Sequence, residues 1–141
     1  MNLITTISNE GEVHFLVYKE AMTAALFITF LEQLLRETKK KKIFLILDRL
    51  RAHQAQEVEE RVAGREDRIK LFWLPKYSPE MNPDEYLNND LKSAINADGL
   101  PNDKEELRSR IERFMSKLVH LPGHVRNYFQ HPCVNYAAGS T

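Results

Sequence analysis

The sequence predicts an α/β domain, and three features of the chain carry that prediction. Two β-rich segments near the start are separated by a short polar turn, which is typical of a β-hairpin. Further along, two short apolar runs enclose a helical segment, as in a βαβ unit with a right-handed crossover. Beyond residue 82 the apolar residues recur with helical periodicity. At 141 residues, a single domain over residues 1–141 is expected, with a hydrophobic core that is large enough to be stable without disulfide bonds.

The first forty residues predict a hairpin and then a helix. Strands over residues 2–8 and 13–19 flank the polar turn. From about residue 22 to 37 apolar side chains recur at three- and four-residue steps, which predicts an amphipathic helix with a broad buried face. The lysine run at residues 39–42 ends this helix. We interpret the run as a solvated helix end rather than a nucleic-acid contact, because cations favour helix C-termini.

The next segment predicts the βαβ unit. Ile43–Leu47 is a continuous apolar run of the kind found in a parallel sheet that is covered on both faces. A polar, Glu-rich helix over about residues 54–64 and a second apolar strand at residues 69–74 complete the unit.

The C-terminal part of the chain predicts three helices. The first covers residues 83 to about 95, with Asn82 as its N-cap and Pro83 at its first helical position. A charged amphipathic helix over residues 103–119 and a short helix over residues 122–130 follow, and an irregular tail ends the chain.

Composition excludes several classes of protein. The 20 Lys+Arg balance the 20 Asp+Glu, which argues against a dedicated basic nucleic-acid-binding module. The single cysteine, Cys133, cannot form an intramolecular disulfide, and no signal peptide is recognisable. The longest apolar runs are much shorter than a membrane span. These features predict a cytoplasmic protein with no membrane partner.

Two carboxylates stand at ends of predicted elements. Asp48 follows the buried strand, at the edge of the sheet where α/β proteins bind ligands, but an aspartate that caps a turn fits this position equally well. Glu85 fits a capping box with Asn82, and Asp84 competes with it for either role. Converging carboxylates are the ligands that Mg²⁺ requires, and a pair of such ions about 4 Å apart can promote phosphoryl transfer.

A longer stretch resembles a known family. It consists of the strand Phe-Leu-Ile-Leu-Asp that ends at Asp48, then His53, and then the run Leu-Pro-Lys-Tyr-Ser-Pro-Glu-Met-Asn-Pro-Asp-Glu that ends at Glu85. These motifs resemble the catalytic core of mariner-like bacterial insertion-sequence transposases, which are DDE superfamily endonucleases. Their loop reads Leu-Pro-x-Tyr-Ser-Pro-x-x-Asn-Pro-x-Glu and enters a helix. Lys92 also falls where the family tends to carry a lysine.

The resemblance implies a ribonuclease-H-like mixed sheet flanked by helices. It also implies metal-dependent cleavage and strand transfer at DNA phosphodiesters, with transposon ends as the DNA partner. By motif position Asp48 is the second acid of the catalytic triad and Glu85 the third, and both would bind Mg²⁺ or Mn²⁺. His53 either positions a ligand or packs the turn. Arg49 replaces the family's asparagine, and it either contacts phosphate or disturbs metal binding.

The first acid of the triad has no counterpart, because residues 1–47 contain no aspartate. The family's first strand, which precedes the hairpin, is likewise missing from this chain. The sequence therefore resembles the C-terminal part of a catalytic core, from a split or decayed element. We expect weak metal binding and no appreciable cleavage by this polypeptide alone.

The missing strand also bears on assembly. In the family's strand order 3-2-1-4-5 it is central, so unpaired backbone groups would be left at a buried edge. We expect a homo-oligomer that shares strands. The alternatives are that the hairpin closes onto Ile43–Leu47, or that a separately encoded N-terminal transposase part fills the slot.

Other functions compete with transposition. The chain is alternatively a catalytically inactive remnant that only self-associates or binds a partner. A third hypothesis is a small metal-dependent nuclease that takes its further acid from Asp84 or Asp90. A zinc site is disfavoured, because a proline and a glycine break the helical spacing of its candidate ligands, which are His120, His124, His131 and Cys133.

Overall fold

The computed structural model describes residues 2–19, 21–38, 41–47, 52–75 and 79–139, without the side chains of residues 52–54 and 79. Packing divides the chain into two compact units, residues 1–20 with 83–141 and residues 21–82. The elements, in chain order, are β1 (Asn2–Ile7), β2 (Val13–Tyr18), α1 (Ala24–Glu37), β3 (Ile43–Leu47), α2 (Ala52–Val62), β4 (Ile69–Trp73), α3 (Asp84–Asn96), α4 (Lys104–Val119) and α5 (Pro122–Tyr128). In the described part of the chain, no helix is long and apolar enough to cross a membrane.

The predicted hairpin is confirmed. β1 and β2 pair antiparallel, from Asn2 opposite Tyr18 to Ile7 opposite Val13. Gly11 closes the turn with a φ of 94°, a conformation that favours glycine. Its position also has no room for a side chain, because a Cβ there would lie 2.5 Å from the carbonyl oxygen of Pro122.

The first unit packs α3, α4 and α5 with this hairpin around one apolar core. Its buried members are Leu87, Leu91, Ile111, Met115, Leu118, Val125, Tyr128 and Phe129. They come from faces with three- and four-residue spacing, as the sequence predicts. Apolar side chains of both hairpin strands pack against this core.

The second unit contains the predicted βαβ arrangement. β3 and β4 pair parallel, from Ile43 opposite Ile69 to Leu47 opposite Trp73. This pair and the hairpin form two separate two-stranded sheets in the described chain. Among the described strands, the predicted alternative in which the hairpin pairs with Ile43–Leu47 is not observed. The core of this unit comes mainly from α1, with Phe30 and Leu31 almost fully buried, together with Val58 of α2.

Arginine side chains donate hydrogen bonds to backbone carbonyl oxygens at the C-terminal ends of two helices. Arg68 donates to the carbonyl oxygens of Leu35 and Thr38 at the end of α1, at 3.0 and 3.1 Å. Arg110 of α4 donates to the carbonyl oxygen of Ile95 at the end of α3, at 2.5 Å. Because the last carbonyls of a helix lack intrahelical donors and carry partial negative charge, a cation stabilises each end. The second contact also fixes α3, which carries the candidate catalytic glutamate.

Candidate active site

The carboxyl end of β3 is the point at which the chain reaches Asp48. The parallel ladder extends one step beyond β4, because the Leu74 N–H donates to the Leu47 carbonyl oxygen at 2.9 Å. Beside it, the Trp73 indole N–H donates to Glu59 Oε1 of α2 at 2.8 Å. The backbone that leads to Asp48 is therefore held by strand pairing and by a contact between strand and helix.

Several of the predicted site groups lie outside the described residues. They are Asp48, Arg49 and the side chain of His53. Their predicted roles, and the expectation that the Asp48 and Glu85 carboxyl groups face one cleft, stay predictions.

The start of α3 agrees with the prediction to within one residue. The helix is assigned from Asp84, and Pro83 before it already has helical backbone angles, with φ −54° and ψ −28°. Glu85 therefore lies in the first turn of the helix. Its carboxylate makes no hydrogen bond or ion pair with a described residue, so the capping-box role predicted as an alternative for Glu85 is not observed.

Asp84 and Glu85 are adjacent in sequence but differ in their surroundings. The Thr5 hydroxyl of β1 donates to both carboxylate oxygens of Asp84, at 2.6 and 2.5 Å. This contact joins the first turn of α3 to the hairpin, which is a structural role for Asp84. Glu85 is partly buried and is the acid of this pair that remains available to a ligand. The structure thus separates two residues that the local sequence could not.

The helix that carries Glu85 is firmly anchored. Leu87 is fully buried and Leu91 nearly so, and both belong to the core of the first unit. Lys92 is exposed and follows Glu85 by seven residues, which places the two side chains on one face of α3. A rigid helix that presents a carboxylate with an ammonium two turns further on suits a metal-bound phosphodiester substrate.

Asp90, a candidate for a further acid, is bound in a polar cluster between α3 and α5. Its Oδ2 accepts a hydrogen bond from the Tyr128 hydroxyl at 2.6 Å and lies 2.9 Å from Nε2 of His124. Burial alone would raise the pKa of Asp90, but the hydrogen bonds from Tyr128 and His124 outweigh it and leave the pKa lowered. Burial, with the Asp90 hydrogen bond and charge, raises the pKa of Tyr128. Asp84 and Asp90 therefore both have structural partners, which weakens the nuclease hypothesis.

This cluster predicts a pH-dependent stability. A lowered carboxyl pKa stabilises the folded state above the ordinary value of 3.8, and this contribution is lost as pH falls below it. We expect Asp90→Asn to cost about 1–2 kcal/mol of unfolding free energy at neutral pH, since Asp90 is half exposed. The difference from the unchanged chain should shrink on acidification. Urea denaturation as a function of pH measures it, and the exposed Asp98→Asn serves as control. Parallel curves at all pH values would contradict the assignment.

No local sequence pattern indicates this cluster, because Asp90 belongs to α3 whereas His124 and Tyr128 belong to α5. No three or more His, Cys, Asp or Glu residues within the described part are arranged to hold a metal ion. His131, one of the disfavoured zinc ligands, stacks on the ring of Tyr86 with 3.8 Å between centroids.

The chain is similar to one protein family and to several solved structures. The family model described as DDE superfamily endonuclease matches residues 1–108. The catalytic domain of Mos1 mariner transposase superimposes with a TM-score of 0.63 at 15% identity, covering 99% of this chain and 74% of that chain. The Mos1 transposase paired-end complex with left transposon end gives 0.63 at 16% identity, covering 96% of this chain and 43% of that one. A search of curated proteins found no match.

These comparisons define the fold and the family of the chain. The likeness to the Mos1 catalytic domain defines a ribonuclease-H-like α/β fold, as predicted, and at these identities it shows the fold alone. The family model covers most of the chain, so the chain belongs to the DDE superfamily endonucleases. The predicted family is thereby confirmed, whereas an origin in a bacterial insertion sequence stays a prediction. The chain spans about three quarters of the Mos1 catalytic domain and less than half of the chain in the paired-end complex.

Proposed function

We propose that this chain supplies part of the catalytic centre of a DNA transposase, with Asp48 and Glu85 as ligands to Mg²⁺ or Mn²⁺. The observation that carries the proposal is the contrast at the start of α3. Thr5 holds Asp84, whereas the neighbouring Glu85 carboxylate has no described partner. An acidic group with no structural role, on a rigid helix and at the family's motif position, is best explained as a ligand.

The residues of the chain fit a hard divalent cation. Carboxylate oxygens are the donors that Mg²⁺ and Mn²⁺ prefer, and both Asp48 and Glu85 supply them. Asp48 and Glu85 would hold such cations, and a bound pair would supply activation of the attacking oxygen and charge neutralisation at the leaving oxygen of the phosphodiester. Lys92, two turns further along the same face of α3, contributes a positive charge for a DNA phosphate. Support for metal and DNA as ligands comes from Mos1 structures, which include a catalytic domain with Raltegravir and Mg and a paired-end complex with Mn.

Assembly is the second part of the proposal. β3 and β4 form a sheet of only two strands in the described chain, and each has an outer edge that no other described strand covers. Such edges readily pair with further strands. We propose that a strand from a second copy of the chain pairs there, or one from a separately encoded transposase part that also carries the remaining acid.

The experiment compares the chain alone with an assembled site. For the 141-residue chain we expect weak Mn²⁺ binding by calorimetry, no appreciable nicking of supercoiled DNA in Mg²⁺, and a light-scattering mass above that of a monomer. Addition of a polypeptide with the family's first strand and its aspartate should produce nicking. The absence of Mn²⁺ binding would favour the catalytically inactive remnant, and a strictly monomeric mass would contradict strand sharing.

A further inference from the structure

One face of the β3–β4 sheet is apolar, basic and open to solvent. The register places Phe44 opposite Lys70 and Ile46 opposite Phe72. Since alternate residues of a strand share a face, and directly opposed residues point to the same side, these four side chains lie on one face. Phe44 is 61% exposed and Phe72 is 42% exposed. The prediction that Ile43–Leu47 is covered on both faces is therefore wrong for this side of β3, where Phe44 is exposed.

The opposite face of the same two strands is the covered one. Leu47 and Ile69 are buried there. Trp73, which also belongs to that face, reaches α2 through its hydrogen bond to Glu59. The helices of this unit therefore cover one face of the sheet, and the face with the two phenylalanines is the accessible one.

The exposed rings form an arrangement with positive charge. The Phe44 and Phe72 centroids are 6.1 Å apart, with the rings tilted by 40°. The Lys42 ammonium lies 5.4 Å from the Phe44 centroid, and the Lys70 ammonium lies 5.2 Å from that of Phe72. Each aromatic ring thus has its own cation at cation–π distance. Lys42 is also the last residue of the lysine run interpreted above as a solvated helix end.

We propose that this surface, defined by Lys42, Phe44, Lys70 and Phe72, binds single-stranded nucleic acid. The bases stack on the two rings and the phosphates contact the two ammonium groups. An apolar protein partner fits less well, because it would bury two lysine charges without counter-charge. A polyanion with a flat apolar group at each repeat complements both features of the surface.

Strandedness follows from the same geometry. Duplex DNA keeps its bases stacked on each other, so it has no free base face for an aromatic ring, whereas a single strand does. With two lysines, the logarithm of the binding constant should fall with the logarithm of salt concentration with a slope of about −1.4. Base stacking on each ring should change affinity by about tenfold, the lower end of the range for such contacts.

The test uses fluorescence anisotropy of the whole chain with labelled oligothymidylate and with a duplex of equal length, both in EDTA. We expect the single strand to bind more tightly than the duplex. Phe44→Ala and Phe72→Ala should each weaken single-strand binding about tenfold, and Lys70→Ala should reduce the salt dependence. Phe44→Tyr and Phe72→Tyr retain a stacking ring and should bind like the unchanged chain.

Matched controls lie outside the surface. Tyr136→Ala removes an aromatic ring that is 53% exposed, and Lys104→Ala removes an exposed lysine; neither should change binding. Because EDTA removes the divalent metal, a failure of single-strand binding in this test is distinct from a failure of the metal site. Equal affinity of Phe44→Ala, Phe72→Ala and the unchanged chain would overturn the proposal. The proposal would also be overturned if Phe44→Ala and Phe72→Ala lost self-association but kept their affinity for the single strand.

Discussion

Glu85→Gln is expected to lower the affinity of the chain for Mn²⁺ by at least about tenfold. Loss of groups that merely support a metal ligand typically costs about 10–100-fold in affinity or activity, and Glu85 would be a direct ligand. The free energy of unfolding should fall by no more than about 1 kcal/mol, the contribution of an acid near a helix N-terminus. Isothermal titration calorimetry with Mn²⁺ and urea denaturation measure the two effects on the same sample.

Asp84→Asn is the matched control, one residue away in the same helical turn. It weakens the hydrogen bond from the Thr5 hydroxyl and should cost about 1–2 kcal/mol of stability. Its affinity for Mn²⁺ should stay close to that of the unchanged chain. The two variants thus have opposite expected profiles. If Glu85→Gln retains full affinity, or if both variants lose it equally, Glu85 is not a metal ligand.

The elements that could be predicted from sequence are those with strong local periodicity. The hairpin, the parallel strands β3 and β4 and the helix faces all follow from patterns within windows of fewer than twenty residues. α4 is an example, since Asp103 caps it by accepting from the Glu106 N–H at 2.7 Å. Here the local sequence and the packed structure favour nearly the same boundary, so α4 begins at Lys104, one residue after the predicted start.

The remaining features depend on contacts between distant parts of the chain. The partition of roles between Asp84 and Glu85 depends on Thr5, which lies 79 residues before Asp84 in the chain. The exposure of Phe72 depends on which face of the β3–β4 sheet the helices cover, and an apolar strand does not specify that face. The periodicity of apolar residues specifies neither the partner of Asp84 nor the covered face of the sheet. The motif that ends at Glu85, by contrast, is long enough to identify the family.

Leu87→Ala is expected to produce the largest loss of stability among these variants. Leu87 is 0% exposed, two residues after Glu85, and it belongs to the core that joins α3 to α4 and α5. Truncation of a fully buried leucine removes its apolar contacts and leaves a cavity, at a cost of about 2–5 kcal/mol. That is a large fraction of the stability of an ordinary domain. Urea denaturation followed by far-UV circular dichroism should show a lower midpoint.

Leu100→Ala provides the same chemical change at a residue that is 80% exposed, in the connection between α3 and α4. It should alter stability by less than about 0.5 kcal/mol. Because Glu85 shares the helix with Leu87, Leu87→Ala should also weaken Mn²⁺ binding at temperatures where its fold begins to loosen, and Leu100→Ala should not. Equal midpoints for the two variants would show that α3 is not anchored through Leu87, and the rigid placement of Glu85 would then lose its physical basis.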